Sequence, residues 1–385
     1  MAYDKVVDSA SLDLKLTQVA DAIRTKGNTS ADLQFPSGFI SAIQAIQTGT
    51  ELKIIVSVTS GATVTATKGS KVVSGTSVNG TCTLTVPEAG TWSVKATHNG
   101  QTSDTKSVTF TDRYAVTLSF VSAVLNDNDW ATIKTVSDKG EGANYWSVGD
   151  RKAVTLNGTV GHLTLSNYTT YAFIIGFNHN ASAEGTNRIH FQLGKTALSG
   201  GTDVCFCDSK YAPDNGWSSA GAGYFAMNAS DTNSGGWKSS QMRTAICGTN
   251  LSNYSGTIIS AIPAELRAVL KSVTKYTDNT GGENSTASYV TATTDYFFLL
   301  SEFEVYGSIS YGNTNEASKQ AQYAYYSAGN SKIKYKHNGT STAARWWLRS
   351  SRASNSDSFV FGSTDGTGFV TNAARSFGFA PGFCV

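Results

Sequence analysis

Apolar residues recur at helical spacing near the start of the chain: Leu12, Leu16, Val19, Ala20 and Ile23 fall on one face. This predicts a helix over residues 9–25, with Ser9 or Ser11 as its cap and Gly27 as its stop. Phe35-Pro36-Ser37-Gly38 opens a second, shorter helix carrying Phe39, Ile43 and Ile46. Two short amphipathic helices bury little apolar surface by themselves, so a partner is expected to cover them. From residue 51 the period changes to two: Cys82/Leu84/Val86, Trp92/Val94/Ala96 and Val108/Phe110 alternate with polar residues. Ser60-Gly61, Gly69-Ser70, Asn79-Gly80 and Asn99-Gly100 supply turns at close intervals. Short strands with such punctuation predict a small β-sandwich over 51–111, with Trp92 in its core.

Residues 112–385 read as one larger domain. The run Tyr171–Phe177 is a buried strand by length and composition. A helix is expected to begin within Gly235–Arg243, with Ser239 as its cap and Met242 and Ile246 facing inward. Another opens at Ile262-Pro263, with Leu266, Val269, Leu270 and Val273 as its stripe. Thr294–Val305 reads as a strand feeding a turn, and 314–327 as a polar, partly helical segment. The C-terminus has a different texture. Trp346–Ser350 and Gly378–Val385 are apolar blocks, and between them lies a Ser/Thr/Asn/Asp/Phe mixture without period. Adjacent Trp346 and Trp347 point to opposite sides of a strand, so at least one belongs to the core, and Arg349 is expected to act as a structural hydrogen bonder. The fold class is therefore α+β and multidomain: helical 1–50, sandwich 51–111, and a C-terminal domain 112–385.

Composition narrows the function. Charged residues make up only 15% of the 385, against about 25% in an ordinary soluble domain; Ser, Thr, Asn and Gly supply the polarity. A formal charge of +2 with no basic cluster gives no case for nucleic acid. No run approaches the ~18 apolar residues of a membrane span, and the N-terminus lacks the apolar core of a signal peptide, so neither membrane insertion nor secretion is expected. The five cysteines are scattered, and Cys205-Phe-Cys207 reads as buried free thiols. The five histidines form no metal-ligand motif, and Asp127-Asn128-Asp129 falls far short of a calcium site. No nucleophile elbow or phosphate loop stands in a strand–helix context. These absences lead to the expectation of no enzyme activity, no cofactor and no metal.

Several motifs carry a resemblance. LTQVADAIRTKGNTSADLQFPSGFISAIQAI resembles the N-terminal segment of tailed-phage tail and baseplate proteins. Residues 51–111 look like an immunoglobulin-like spacer module. YWSVGD, GGWKSSQMR, DYFFLLSEFEV and WWLRS, closing on FAPGFCV, resemble a C-type-lectin-like domain related to the formylglycine-generating-enzyme superfamily. Some members are the variable proteins of diversity-generating retroelements, relatives of the phage major tropism determinants. The resemblance implies a homotrimeric receptor-binding protein at a phage tail tip, made in the host cytoplasm. Its partners would be a host cell-surface protein or glycan and the phage tail or baseplate proteins. Alternatives are a bacterial surface or secreted ligand-binding protein of the same fold, and an enzyme of the formylglycine-generating type; that branch uses paired cysteines, and Cys384 has no obvious partner in the sequence. The Glu-Pro-Asn and Gln-Pro-Asp triplets of calcium-dependent sugar binding are absent.

In such proteins the terminal stretch is rewritten at adenines. The expected ligand-binding, variable region is 351–377: Arg352, Ser354, Asn355, Asp357, Ser358, Phe361, Ser363, Thr364, Asp365, Thr367, Phe369, Val370, Thr371, Asn372, Ala374, Arg375 and Phe377. Exposed Phe and Arg among small polar residues is the composition of a paratope. An AAC codon altered at its adenines never encodes Lys, Glu, Gln, Trp or Met, and 350–385 contains none of the five. Residues 153–183 lack them too, so the signal supports diversification without deciding it.

Overall fold

A computed structural model describes residues 9–27, 30, 32–45, 51–111, 113–118, 120–212 and 219–385. The chain is α+β and divides into two compact units, Met1–Phe120 and Val121–Val385.

In the first unit, helices Ser9–Gly27 and Ser37–Ala45 share a small core of Ala20, Ile23 and Phe39. The first helix runs to Gly27, as expected; its predicted caps and Ile46 lie outside the residues whose side chains are described. Leu12, Val19, Phe35, Ile40 and Ile43 remain exposed. The β-module has two sheets. One orders Thr81–Thr85, Lys53–Ser57 and Arg113–Thr117; the other is built on Thr63–Lys68 and Gly90–His98. Alternation buries Ile54, Val56, Cys82, Leu84, Trp92 and Val94 between them. Asn79-Gly80 and Asn99-Gly100 all take positive φ (50°, 80°, 49° and 80°), the conformation that a two-residue hairpin turn requires. Arg113–Thr117 pairs in parallel with Lys53–Ser57. The module therefore extends beyond 111, and the boundary falls near Phe120 rather than at 112.

The second unit is organised by a five-stranded antiparallel sheet in the order Phe297–Phe298, Gly382–Cys384, Ile189–Lys195, Leu163–Phe177, Arg151–Val160. The last residues of the chain thus lie inside a sheet, with Val385 and Ile189 exchanging backbone bonds of 3.0 and 3.1 Å. A second sheet carries Trp346–Ser351, Ser358–Gly362 and Gly368–Asn372. Both tryptophans are fully buried, and Trp346 lies so close to Gly362 that a Cβ there would meet its indole at 2.3 Å. Three expectations shift. Glu302–Tyr306 is a helix, because Ser301 and Glu304 form a reciprocal capping box. The helix expected from Ile262 is confined to Ala264–Arg267, and Val273 instead begins the strand Val273–Asp278. Met242 and Ile246 do face inward, from a π-helical turn, while Ser239 ends the short helix Gly236–Ser239 rather than capping one. Asp129 caps the helix Trp130–Asp138 by accepting from the Thr132 amide.

Phe383 sits mid-sheet between its cross-strand neighbours Phe191 and Phe297, with ring centroids 5.2 Å from both. Phe383→Ala is expected to destabilise this unit by about 3–5 kcal/mol, the usual cost of emptying a buried aromatic site, read by denaturant unfolding. A loss below about 1 kcal/mol would contradict the central placement of this strand.

Candidate binding surface

Beneath the second sheet lies a buried charge network. The Arg349 guanidinium bonds both oxygens of Glu304, at 2.8 Å for Nη2 to Oε1, and donates through Nε to Thr277 at 2.7 Å. Lys275 Nζ meets Glu304 at 2.9 Å, Glu184 at 2.7 Å and the Tyr323 hydroxyl at 2.7 Å. All six side chains are essentially sealed from solvent. Burial favours the neutral form of Glu304, yet the adjacent Arg349 and Lys275 charges outweigh it and hold its pKa below the ordinary carboxylate value. Glu184 and Glu316 go the other way, pushed up to about 7 by burial.

Ligand-type atoms of His179, Glu184 and Glu304 lie within 4.8 Å of one another. Sequence reasoning, which expected no metal, missed this juxtaposition because the three residues come from distant segments. His179 Nε2 and His190 Nε2 have no hydrogen-bond partner, and burial depresses the pKa of both imidazoles, that of His179 to about 3. The position a divalent ion would take between the two carboxylates is held by the Lys275 ammonium. Lys275 is itself wedged 4.2 Å from the Phe298 ring centroid. Arg349 and Lys275 thus close around Glu304 and Glu184 in one sealed cluster, which fits a structural role.

The network reaches the surface through short links. Glu302, in the capped helix, accepts the backbone amides of Ser310, Tyr311 and Gly312 at 2.8, 3.2 and 2.8 Å. The Tyr311 carbonyl accepts the Ala353 amide at 2.9 Å, and its ring meets Phe369 at 5.8 Å. Asn233 is fully buried, and its side-chain amide donates to the carbonyls of Arg352, Asn355 and Ser358 at 3.0, 2.7 and 3.2 Å. Asp231 accepts the Ala374 amide at 3.0 Å. These framework groups grip the 352–374 stretch by its main chain.

Residues 223–385 match the family model described as a domain of unknown function (DUF6273). The matched segment contains Arg349, Glu304, Lys275, Asn233 and the whole 351–377 stretch. Comparison with curated proteins finds no match to the chain.

The expected site residues separate by burial. Ser354, Asp365, Thr367 and Phe369 are exposed, and Arg352, Asn355, Asp357, Ser363, Thr364, Val370, Thr371, Asn372 and Arg375 are partly exposed. Four are buried and cannot contact a ligand. Phe361 and Phe377 form an aromatic cluster with Trp347, at centroid distances of 4.9 and 5.0 Å. Ser358 turns its hydroxyl onto Asp357, and Ala374 is fixed by Asp231 and by the Ala220 amide. Both Phe361 and Phe369 look equally available in sequence. They are cross-strand neighbours, but Phe361 also pairs with Trp347 and is covered, whereas Phe369 lies on the outer strand and is 54% exposed. Asn233 and Tyr311 were missed, since an isolated Asn in DTNSGG gives no hint of carbonyls more than a hundred residues away.

The cysteines are free and buried. Cys205 and Cys207 place their sulfurs 4.0 Å apart. Cys384 sits 3.3 Å from His190 Nδ1, but burial pushes its thiol up to about 12, and that of Cys247 also rises. A thiol held protonated is a poor nucleophile, so Cys384 is expected to resist iodoacetamide at pH 8 until the chain unfolds; rapid labelling of the native protein would contradict this.

Glu316 gives a pH prediction. Its folded pKa of about 7 lies above the ordinary value of 4.5, so its contribution to stability is complete below about pH 4.5 and is lost as pH rises through 7. Glu316→Gln, which mimics the protonated form, removes that dependence. Between pH 5 and 8 the unaltered chain is expected to lose roughly 2 kcal/mol relative to the variant; a constant difference across that window would contradict the assignment.

Proposed function

We propose that the chain is a phage tail receptor-binding protein whose C-terminal unit is a C-type-lectin-like, diversified recognition domain. Its ligand is a host cell-surface protein or glycan. The contacting residues are the exposed and partly exposed members of 352–375, centred on Phe369 with Tyr311 beside it. The observation that carries the reading is the mode of attachment. Asn233 and Asp231 hold backbone groups, so side chains in this stretch can change while the main chain stays in place. A fixed scaffold under an adaptable mixture of aromatic, Arg and small polar residues is what a variable binding surface needs.

In this reading the immunoglobulin-like module is a spacer. The N-terminal helices, with Leu12, Val19, Phe35, Ile40 and Ile43 exposed, attach to tail or baseplate proteins at the virion tail tip. Assembly as a homotrimer would raise weak single-site affinity by avidity. A thiol enzyme is disfavoured, because Cys247 and Cys384 are buried with raised pKa values. No helix among the described residues is long and apolar enough to cross a membrane.

Two substitutions on neighbouring strands separate the roles. Phe369→Ala is expected to reduce adsorption of phage to host cells at least tenfold with an unchanged melting temperature. Phe361→Ala is expected to cost about 3–5 kcal/mol of stability. Unchanged adsorption in Phe369→Ala together with a charge-reversed Arg352→Glu variant would sink the recognition reading. Diversification itself is checked in flanking DNA, where a near-copy of the codons for 346–385 differing at adenines should lie beside a reverse-transcriptase gene.

A further inference from the structure

A separate cleft of about 510 Å³ opens beside the sheet of Val204–Cys205, Lys334–Lys336 and Gly339–Ala344. Its lining includes Thr202, Asp203, Ile333, Tyr335, Thr340 and Ser341. None of these belongs to 351–377. We propose that this cleft is a binding site for a neutral saccharide, distinct from the 351–377 surface and independent of the reading given for it.

Size comes first: the volume falls within the range of about 300–1,000 Å³ typical of small-molecule sites. Chemistry then selects the ligand. The hydroxyls of Thr202, Tyr335, Thr340 and Ser341 have no protein partner among the described residues, so four groups that both donate and accept border one space. Asp203 adds a carboxylate. Its Oδ1 is bonded by Lys195, whereas Oδ2 receives only a long 3.4 Å bond from the Tyr325 hydroxyl. A carboxylate has room for about four donors, and Oδ2 retains capacity for a ligand hydroxyl.

Charge excludes the competitors. The Asp203 charge is compensated by Lys195 and by the buried Lys334 behind it, so a cationic ligand gains little. No lining residue is cationic, so an anionic ligand finds no counterion at the wall. A purely apolar ligand would strand the unpartnered hydroxyls. A pyranose answers both demands, with hydroxyls around its edge and a C–H face for Ile333 and Tyr335, which both line the cleft.

The site is also pre-formed. Tyr335 pairs with Val204, its amide donates to the Asp203 carbonyl at 2.7 Å, and Ala343 pairs with Tyr335 from the other side. Ile333 lies against the Ser363–Thr367 turn, where a Cβ on Gly366 would come within 3.2 Å of it. A saccharide seated here would therefore have one end near the Ser363–Thr367 turn.

The test is binding of the full chain to an array of neutral and sialylated oligosaccharides, with melting temperature as the folding control. Neutral members should bind the unaltered chain. Ser341→Trp, at an exposed strand position, should fill the cleft and reduce that binding tenfold or more. Tyr335→Phe should weaken it several-fold, and Phe369→Ala should leave it unaltered. Failure of the unaltered chain to bind any neutral member, survival of binding in folded Ser341→Trp, or preference for sialylated members would overturn the proposal. Host adsorption measured on the same variants separates the two sites: its loss in Phe369→Ala with saccharide binding intact leaves both readings standing.

Discussion

The C-terminal unit depends on one interaction, the sealed ion pair between Arg349 and Glu304. Arg349 comes from the strand that leads into the 352–375 stretch, and Glu304 from a helix built on a capping box. Their bidentate bond fixes the angle between those elements, and Lys275 ties Glu304 to Glu184 on a third segment. A buried pair of this kind offers little net stability against an apolar equivalent, but removing one partner strands a charge at a cost of about 3–5 kcal/mol. Its value is geometric. It places Ser350 against the Glu302 amide at 3.1 Å, and Glu302 in turn holds the loop that carries Tyr311.

That chain of contacts would let the surface vary without loss of the fold. Support passes from Arg349–Glu304 through Glu302 to main-chain amides, and from Asn233 to main-chain carbonyls. Hydrogen bonds to the backbone survive any substitution that keeps the backbone in place. The side chains above them can then change without loss of those bonds. The buried positions of the same stretch, Phe361 and Phe377, belong to the framework and share its intolerance of change.

Much of this architecture was legible in the sequence where the signal is local. Alternation at Trp92/Val94/Ala96 and the two Asn-Gly turns specify the small β-module, and the apolar blocks Trp346–Ser350 and Gly378–Val385 are fully buried, as their composition implied. The Ser301-x-x-Glu304 box stands directly after an apolar run that reads as a strand, and it turns the chain into a helix. The site was only half legible. Composition distinguishes an adaptable stretch from its flanks, but cannot tell Phe361 from Phe369, because that depends on which strand lies at the edge. Partners such as Asn233 and Lys275 are set by contacts across long sequence separations, which no period or spacing records.

The central claim is that side chains on the outer face of 352–375 are decoupled from folding. A saturation scan of every position from Arg352 to Phe377, read by resistance of the displayed chain to proteolysis, tests it most directly. The account predicts two classes. Ser354, Asp365, Thr367 and Phe369 should accept nearly every residue with unchanged resistance, while Ser358, Phe361, Ala374 and Phe377 should accept few. Uniform sensitivity along the stretch, or tolerance at Phe361 equal to that at Phe369, would contradict it.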